Sequence, residues 1–540
     1  MLPHAYTVPA FSTMAPSDIA ATLRSTIDET TFDLNAFEDD LADPAAEFTW
    51  ASVMDRLEII NDPLERLWRV VIHLTNVINS PELRAVETAM QAEVVALQNR
   101  CMQSPAIFHA MAALRASDEA VTYTVEQTRI LHRAIHHAII TGVALVENER
   151  DRFNARSLRL TQLSMAFSNN VLDALNEFAL VVHDKAELDG VPEEALALYA
   201  QNAVAAGFED ASFETGPWKV TLDRPCYLPI VKYCAYRPLR EAIFRAYIAI
   251  ASVPPHDNKA VVQEILQLRH AQARELGFDS YAELSLATKM APSVSAVDEM
   301  VESLRSRCFD VSKAEIESLQ AYASAHGQSD LLQPWDIAFW FGQLLLPSER
   351  LRKDAFDIDE EAMKAYFPLD RVLDGLFDLV SQLFGVRIVA TQGIVDTWHR
   401  DVTFYEMRTV DEPGEPVIAG FYLDLFLRPG QKQNGSWIEV LSSRTSVLGT
   451  EKTPVRVPVY CLMLNLPTAM DKGPTLLSFS DVKALFNVFG YGLRMSLTQA
   501  NYTASSRPSG VEWDCADMPG AFMSKFWGER GWWKMNCISV

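Results

Sequence analysis

Apolar residues recur at helical spacing through the first two-fifths of the chain. Between residues 51 and 100 they include Leu57, Ile60, Leu64, Leu67, Val71 and Leu74, which fall on one helix face. Asn61-Asp62-Pro63 and Ser80-Pro81 predict breaks, since proline has no N–H for the helix ladder. Residues 122–188 continue the pattern with few glycines or prolines, predicting long helices in a bundle, and Gly190-Val191-Pro192 marks a turn. Trp218-Lys219-Val220-Thr221-Leu222 then alternates like a short strand that Pro225 ends. Helical spacing returns over residues 239–251 and 260–276.

A second β-like patch covers residues 397–426 and 455–466. Tyr405-Glu406-Met407-Arg408-Thr409 alternates there, and Val457-Pro458-Val459-Tyr460 is short and apolar. Turn formers fill 411–416 and 429–436. A last helix is expected after Ser480. Its apolar stripe is Val482, Leu485, Phe486, Phe489 and Leu493, with Ser478 or Ser480 as N-cap. These patterns predict a mainly α chain with a small, late, mixed or antiparallel sheet. They divide it near residue 230 into an N-terminal helical domain, 1–230, and a second domain, 231–540.

Composition narrows the function classes. The 540 residues are 49% hydrophobic and 22% charged, as in a globular protein. With 47 basic and 71 acidic side chains the formal net charge is −24, which repels phosphate backbones and argues against a nucleic-acid partner. No apolar run approaches the ~20 residues of a membrane span. Residues 1–16 hold no Lys or Arg, unlike a secretory or Arg-rich transit signal, so the cytoplasm is expected and a mitochondrial address is the alternative. Seven scattered cysteines (Cys101, Cys226, Cys234, Cys308, Cys461, Cys515 and Cys537) form no Cys-x-x-Cys pair and read as buried or idle thiols.

Three groups of residues could carry chemistry. His132 and His136 share a helix face at a spacing that zinc can bridge, but Arg133 stands where a hydrolytic site wants a carboxylate base, so satisfied polar or surface histidines are expected. Glu38-Asp39-Asp40, with Asp43 behind, reads as a solvated face of a polar, mobile-looking stretch rather than an acid–base pair. The helix Phe486-Asn487-Val488-Phe489-Gly490-Tyr491-Gly492-Leu493 holds two glycines, each costing about 1 kcal/mol relative to alanine. Either close helix packing or the approach of a backbone or ligand should compensate.

That helix, together with Phe167-Ser168-Asn169-Asn170-Val171-Leu172, the 218–227 stretch, Arg237-Pro238-Leu239-Arg240-Glu241, Glu275-Leu276-Gly277-Phe278, Tyr281-Ala282-Glu283, Lys289-Met290-Ala291, Pro334-Trp335-Asp336-Ile337, Trp398-His399-Arg400-Asp401-Val402, Gly420-Phe421-Tyr422-Leu423-Asp424-Leu425, Arg428 and Gly510-Val511-Glu512-Trp513-Asp514, resembles the thimet oligopeptidase and oligopeptidase A family of zinc metallopeptidases. The likeness runs from about residue 15 to 527. It implies a two-lobed helical fold with an internal channel that admits short peptides. The family's active helix carries His-Glu-Phe-Gly-His-Gly: two zinc-binding histidines, a glutamate base on the metal-bound water, and a later glutamate that completes the metal site.

Here the resemblance places Asn487 and Tyr491 at the two histidine positions, Val488 at the base and Asp517 at the later ligand, while Phe489, Gly490 and Gly492 keep the frame. An amide is a poor zinc ligand, a phenol must first lose a proton of pKa about 10, and valine takes no proton. No histidine follows His399 to replace the missing pair. The resemblance therefore implies a pseudo-peptidase with no cofactor, zinc entering only if the family's activity were retained. Short-peptide binding is a remaining expectation. An active zinc metalloendopeptidase and a scaffold protein without a peptide ligand are the alternatives. The tail, residues 528–540, has no counterpart in the family. The resemblance implies that the family's C-terminal part, with its oxyanion donors, is not represented here, and a protein partner is then expected over the apolar surface so uncovered.

Overall fold

The computed structural model describes residues 8–344, 363–391, 393, 395–466 and 473–526; the tail that begins at Gly528, with Trp532, Trp533 and Cys537, lies outside them. Six helices open the fold: α1 (Pro16–Ala42), α2 (Arg56–Val77), α3 (Pro81–Met102), α4 (Pro105–Ala116), α5 (Val125–Ile140) and α6 (Glu147–Glu177). Their starts are chemically marked. Ser80 and Ser104 accept from the backbone N–H of Leu83 and Ile107, each with proline at the first helical position, and Thr124 with Gln127 forms a reciprocal capping box.

Two expected features differ. Helix α2 runs through Asn61-Asp62-Pro63 without a break. The carbonyl that Pro63 leaves unpartnered belongs to Ile59, a half-exposed residue whose backbone water can reach. The helical run over 122–188 also stops early. After α6, strand β1 (Leu180–Val182) pairs antiparallel with β2 (Trp218–Val220), Val182 opposite Trp218. Three residues are too few for periodicity to reveal. The acidic run Glu38-Asp39-Asp40 lies in the last turns of α1, not in a mobile stretch, and Glu38 and Asp40 pair with Arg100 and Arg56.

The middle of the chain adds α7 (Glu193–Ala205), α8 (Arg224–Tyr233), α9 (Arg237–Ile248), α10 (Lys259–Glu275), α11 (Tyr281–Leu286) and the long α12 (Val294–Ala325). After α13 (Leu369–Phe384) comes the late sheet: β3 (Val386–Ala390), β4 (Thr403–Thr409), β5 (Val417–Phe426), β6 (Trp437–Ser442) and β7 (Val459–Leu466), in the order β3-β4-β5-β7-β6. Only β5 and β7 pair in parallel, which makes the sheet mixed. Helices α14 (Phe479–Leu497) and α15 (Met518–Phe526) follow. The fold is mainly α with a small late sheet.

Both faces of that sheet are covered. Phe404, Tyr422, Val459, Cys461 and Met463 join the core of the first helices, with Leu23, Val71 and Leu74. Phe421, Leu423, Tyr460 and Leu462 point the other way, onto Phe486, Phe489 and Leu493 of α14 and onto α13. This double coverage explains why β5 and β7 read as continuous apolar runs rather than alternating ones.

Candidate functional site

Helix α14 starts where its chemistry dictates. The Ser478 side chain accepts from the Asp481 N–H while the Asp481 carboxylate accepts from the Ser478 N–H at 2.9 Å, so Ser478, not Ser480, is the cap. Its stripe of Val482, Leu485, Phe486, Phe489 and Leu493 is buried against the sheet as expected.

The two glycines are explained by close approach. A Cβ at Gly490 would stand 2.3 Å from the Pro519 carbonyl oxygen and 2.8 Å from Gly520 Cα. One at Gly520 would meet Asn487 Nδ2 and Tyr491 Cε2, each at 2.9 Å. A Cβ at Gly492 would fall 2.9 Å from Tyr460 Cε2 of β7. The backbone of α15 thus lies directly on α14, and the sheet lies close on its other side. Packing offsets the helix cost of both glycines.

This approach brings three of the four candidate positions together. Asn487 and Tyr491 are half-buried and flank Gly520, and the Tyr491 hydroxyl donates to the carboxylate of exposed Asp517, just before α15. Val488 is 1% exposed and packs into the core beside Phe486 and Phe489, so the position expected to bear a base offers only a buried isopropyl group. The donor set is one amide, one phenol and one carboxylate, the last two bonded to each other. It does not match the imidazole, thiolate and carboxylate ligands that zinc takes. Among the described residues no three His, Cys, Asp or Glu side chains are grouped to hold a metal ion.

Nor does α5 offer a site. His132 is exposed and His136 half-buried, and Arg133 between them donates to the carbonyls of Gly510 and Ser509 at 2.9 and 2.6 Å. Arg133 tethers α5 to the 509–510 turn.

The short motifs of the sequence meet one another in space. Arg237 and Arg240 both donate to buried Asp336, at 2.8 and 3.1 Å. The Trp398 indole donates to Asp424 at 2.9 Å, and Asp424 also accepts from Arg428 and Lys432. Asp514 accepts from the backbone N–H groups of Met290 and Ala291 at 3.0 and 2.9 Å, while Glu512 receives Arg129 at 3.0 Å. These residues act as joints between distant segments.

One buried polar cluster escapes the sequence entirely. His73 of α2 bonds Glu439 of β6 through Nδ1 at 2.6 Å, its Nε2 lies 3.9 Å from the Cys461 sulfur, and Asn76 donates to the same glutamate at 2.6 Å. The ligands diverge from opposite sides of the imidazole, so the cluster is a relay that ties the helices to the sheet. Burial pushes the Cys461 thiol well up, consistent with an inert, protonated sulfur. Nothing in the sequence juxtaposes residues 73 and 439.

Residues 230–532 match the model of "Peptidase family M3" and residues 23–150 that of "Neurolysin/Thimet oligopeptidase, N-terminal domain". The chain belongs to peptidase family M3. The match runs to residue 532, past Trp527 where the motif-based likeness stops. The "Probable cytosolic oligopeptidase A" of Arabidopsis thaliana is 38% identical to this M3-family chain over 89% of it and 68% of the relative. The "Organellar oligopeptidase A, chloroplastic/mitochondrial" of the same plant is 36% identical over 96% and 64%. "Oligopeptidase A" of Escherichia coli (strain K12) is 32% identical over 96% of the chain and 74% of its own length. The chain thus spans about two thirds to three quarters of the length of these relatives. No described helix is long and apolar enough to cross a membrane.

Proposed function

We propose that this M3-family chain is a pseudo-peptidase: it does not hold zinc between α14 and α15, does not hydrolyse peptides by a metal-bound water, and serves instead by binding short peptides. The observation that carries this reading is the Tyr491 hydroxyl bonded to Asp517. The two groups best able to reach a cation satisfy each other, and the position beside them that a proton acceptor would need is Val488, shut in the core. A hydrolytic zinc site needs at least three good ligands, an open coordination position and a base. The motif's frame residues Phe489, Gly490 and Gly492 are kept in the sequence. The cytosol is the proposed compartment, a mitochondrial one the alternative, following the compartments named for the two plant relatives.

The test is metal analysis of the purified chain beside a fluorogenic short-peptide assay, with and without a chelator. We expect far less than one zinc per chain and no chelator-sensitive cleavage. One tightly held zinc per chain, or cleavage that a chelator abolishes, refutes the proposal. Binding of an uncleaved short peptide, read by fluorescence anisotropy, tests the second half; no binding of any of a mixed peptide set removes it. Restoring the three ligand positions with Asn487→His, Tyr491→His and Asp517→Glu should raise zinc occupancy towards one, because these positions already lie together around Gly520.

A further inference from the structure

Helix α12 carries an apolar stripe that nothing described covers. Every residue from 298 to 318 is exposed, and only Leu319 and Ala323, near its C-terminal end, are buried. From half-buried Val297 at its edge, Val301, Leu304, Cys308 and Val311 follow along that bare stretch at alternating spacings of four and three residues. These are the a/d spacings of a two-stranded coiled coil, with Met300, Phe309 and Ile316 also exposed on the same helix beside or off that seam. The residues on it are fully presented: Val301 is 54% exposed, Leu304 57% and Val311 58%. An unsupported helix gains little from propensity alone, and most helical stability comes from packing an apolar face.

We propose that the occupant is a second copy of this chain, paired antiparallel through α12. Charge selects the orientation. With Val301 facing Leu304 of the second copy and Val297 facing its Cys308, Asp298 of each copy flanks Arg305 of the other, so the twofold axis makes two opposite-charge contacts. A parallel pair would set Arg305 beside Met300 and Arg307 beside Ser312, with no ion pair at all. In the single chain Arg305 bonds Glu302 within the helix, an exposed contact that does not prevent it from also reaching Asp298 of the second copy. The seam ends where Glu315 takes the next core position, so the contact has a defined length.

Sedimentation velocity over a concentration series on the full chain, combined with oxidative cross-linking, tests this. We expect a reversible dimer that Leu304→Glu weakens at least about tenfold, with the helical circular-dichroism signal unchanged because Leu304 is exposed. In a background lacking Cys515 and Cys537, Val297→Cys should cross-link to Cys308 of the second copy, whereas Cys308 alone should not cross-link to itself. A monomer at every concentration overturns the proposal. So does a dimer indifferent to Leu304→Glu, or one joined through paired Cys308 residues.

Discussion

Lys432 is a charge enclosed in the core, 2% exposed. Its ammonium donates to the Asp424 carboxylate at 2.7 Å and to the carbonyls of Asp424, Phe426 and Leu464 at 2.9, 3.0 and 2.6 Å. Burial pushes its amine down to about 8 against the pull of Asp424, which leaves it charged at neutral pH. Its loss leaves Asp424 with Arg428 and Trp398 but takes a donor from three carbonyls, so Lys432→Met should destabilise the fold by about 1–3 kcal/mol. A lowered urea midpoint with an unchanged slope is the expected result; an unchanged midpoint would show that the enclosed ammonium contributes nothing. None of this enclosure is legible in the sequence, where residues 429–436 read only as turn formers. Val488 was not on the expected stripe of α14, yet it too sits in the core beside Phe486 and Phe489.

Among the elements, α14 and α15 depend on backbone contact more than on side chains. A Cβ at Gly490 meets carbonyl and Cα atoms that cannot rotate aside, so Gly490→Ala should cost about 1–3 kcal/mol and loosen α15. The matched change Gly473→Ala enters open space and should be neutral. Thermal unfolding compares the two, and limited proteolysis within Met518–Phe526 reports the undocking; equal stabilities would sink the argument. Periodicity revealed helices within 51–188 and the strands β4, β5 and β7, because their burial follows simple rules, but it did not reveal α12, whose face is mostly exposed, or α13. It missed β3 and β6 for identifiable reasons. Strand β3 is an edge with only Val386 buried, so it carries little apolar signal. In β6 the alternation is spoiled by Glu439, which faces inward to reach His73 and Asn76. A charged residue on a covered face looks like a solvated one until its partner, hundreds of residues away, is known.

Across the whole molecule, joints between distant segments set the acid stability. Asp336 is fully buried, and although burial alone would raise its pKa, the bonds from Arg237, the Gln333 N–H and Arg240 hold it below the ordinary 3.8. A carboxyl lowered in the fold contributes stability that is complete above the unfolded value and lost as pH falls through the folded one. Asp336→Asn should therefore cost about 3–5 kcal/mol at neutral pH, and the gap to the unaltered chain should close below about pH 4. Denaturation at a series of pH values checks it, and a gap that stays constant into acid would contradict the assignment. The joints also draw on motifs that the sequence displayed. Arg237, Asp336, Trp398, Asp424 and Asp514 stand in recognisable stretches and fasten distant segments of the fold.

The sheet's position between two helical layers has a consequence for synthesis. His73 leaves the ribosome 366 residues before its partner Glu439. At ~5–20 residues per second that interval is roughly 20–70 s. For that time Val71, Leu74 and the imidazole have no strand to rest on, and the nascent helices present a sticky flank to the solvent. Chaperone occupancy on stalled chains of increasing length should fall only once β7 has emerged.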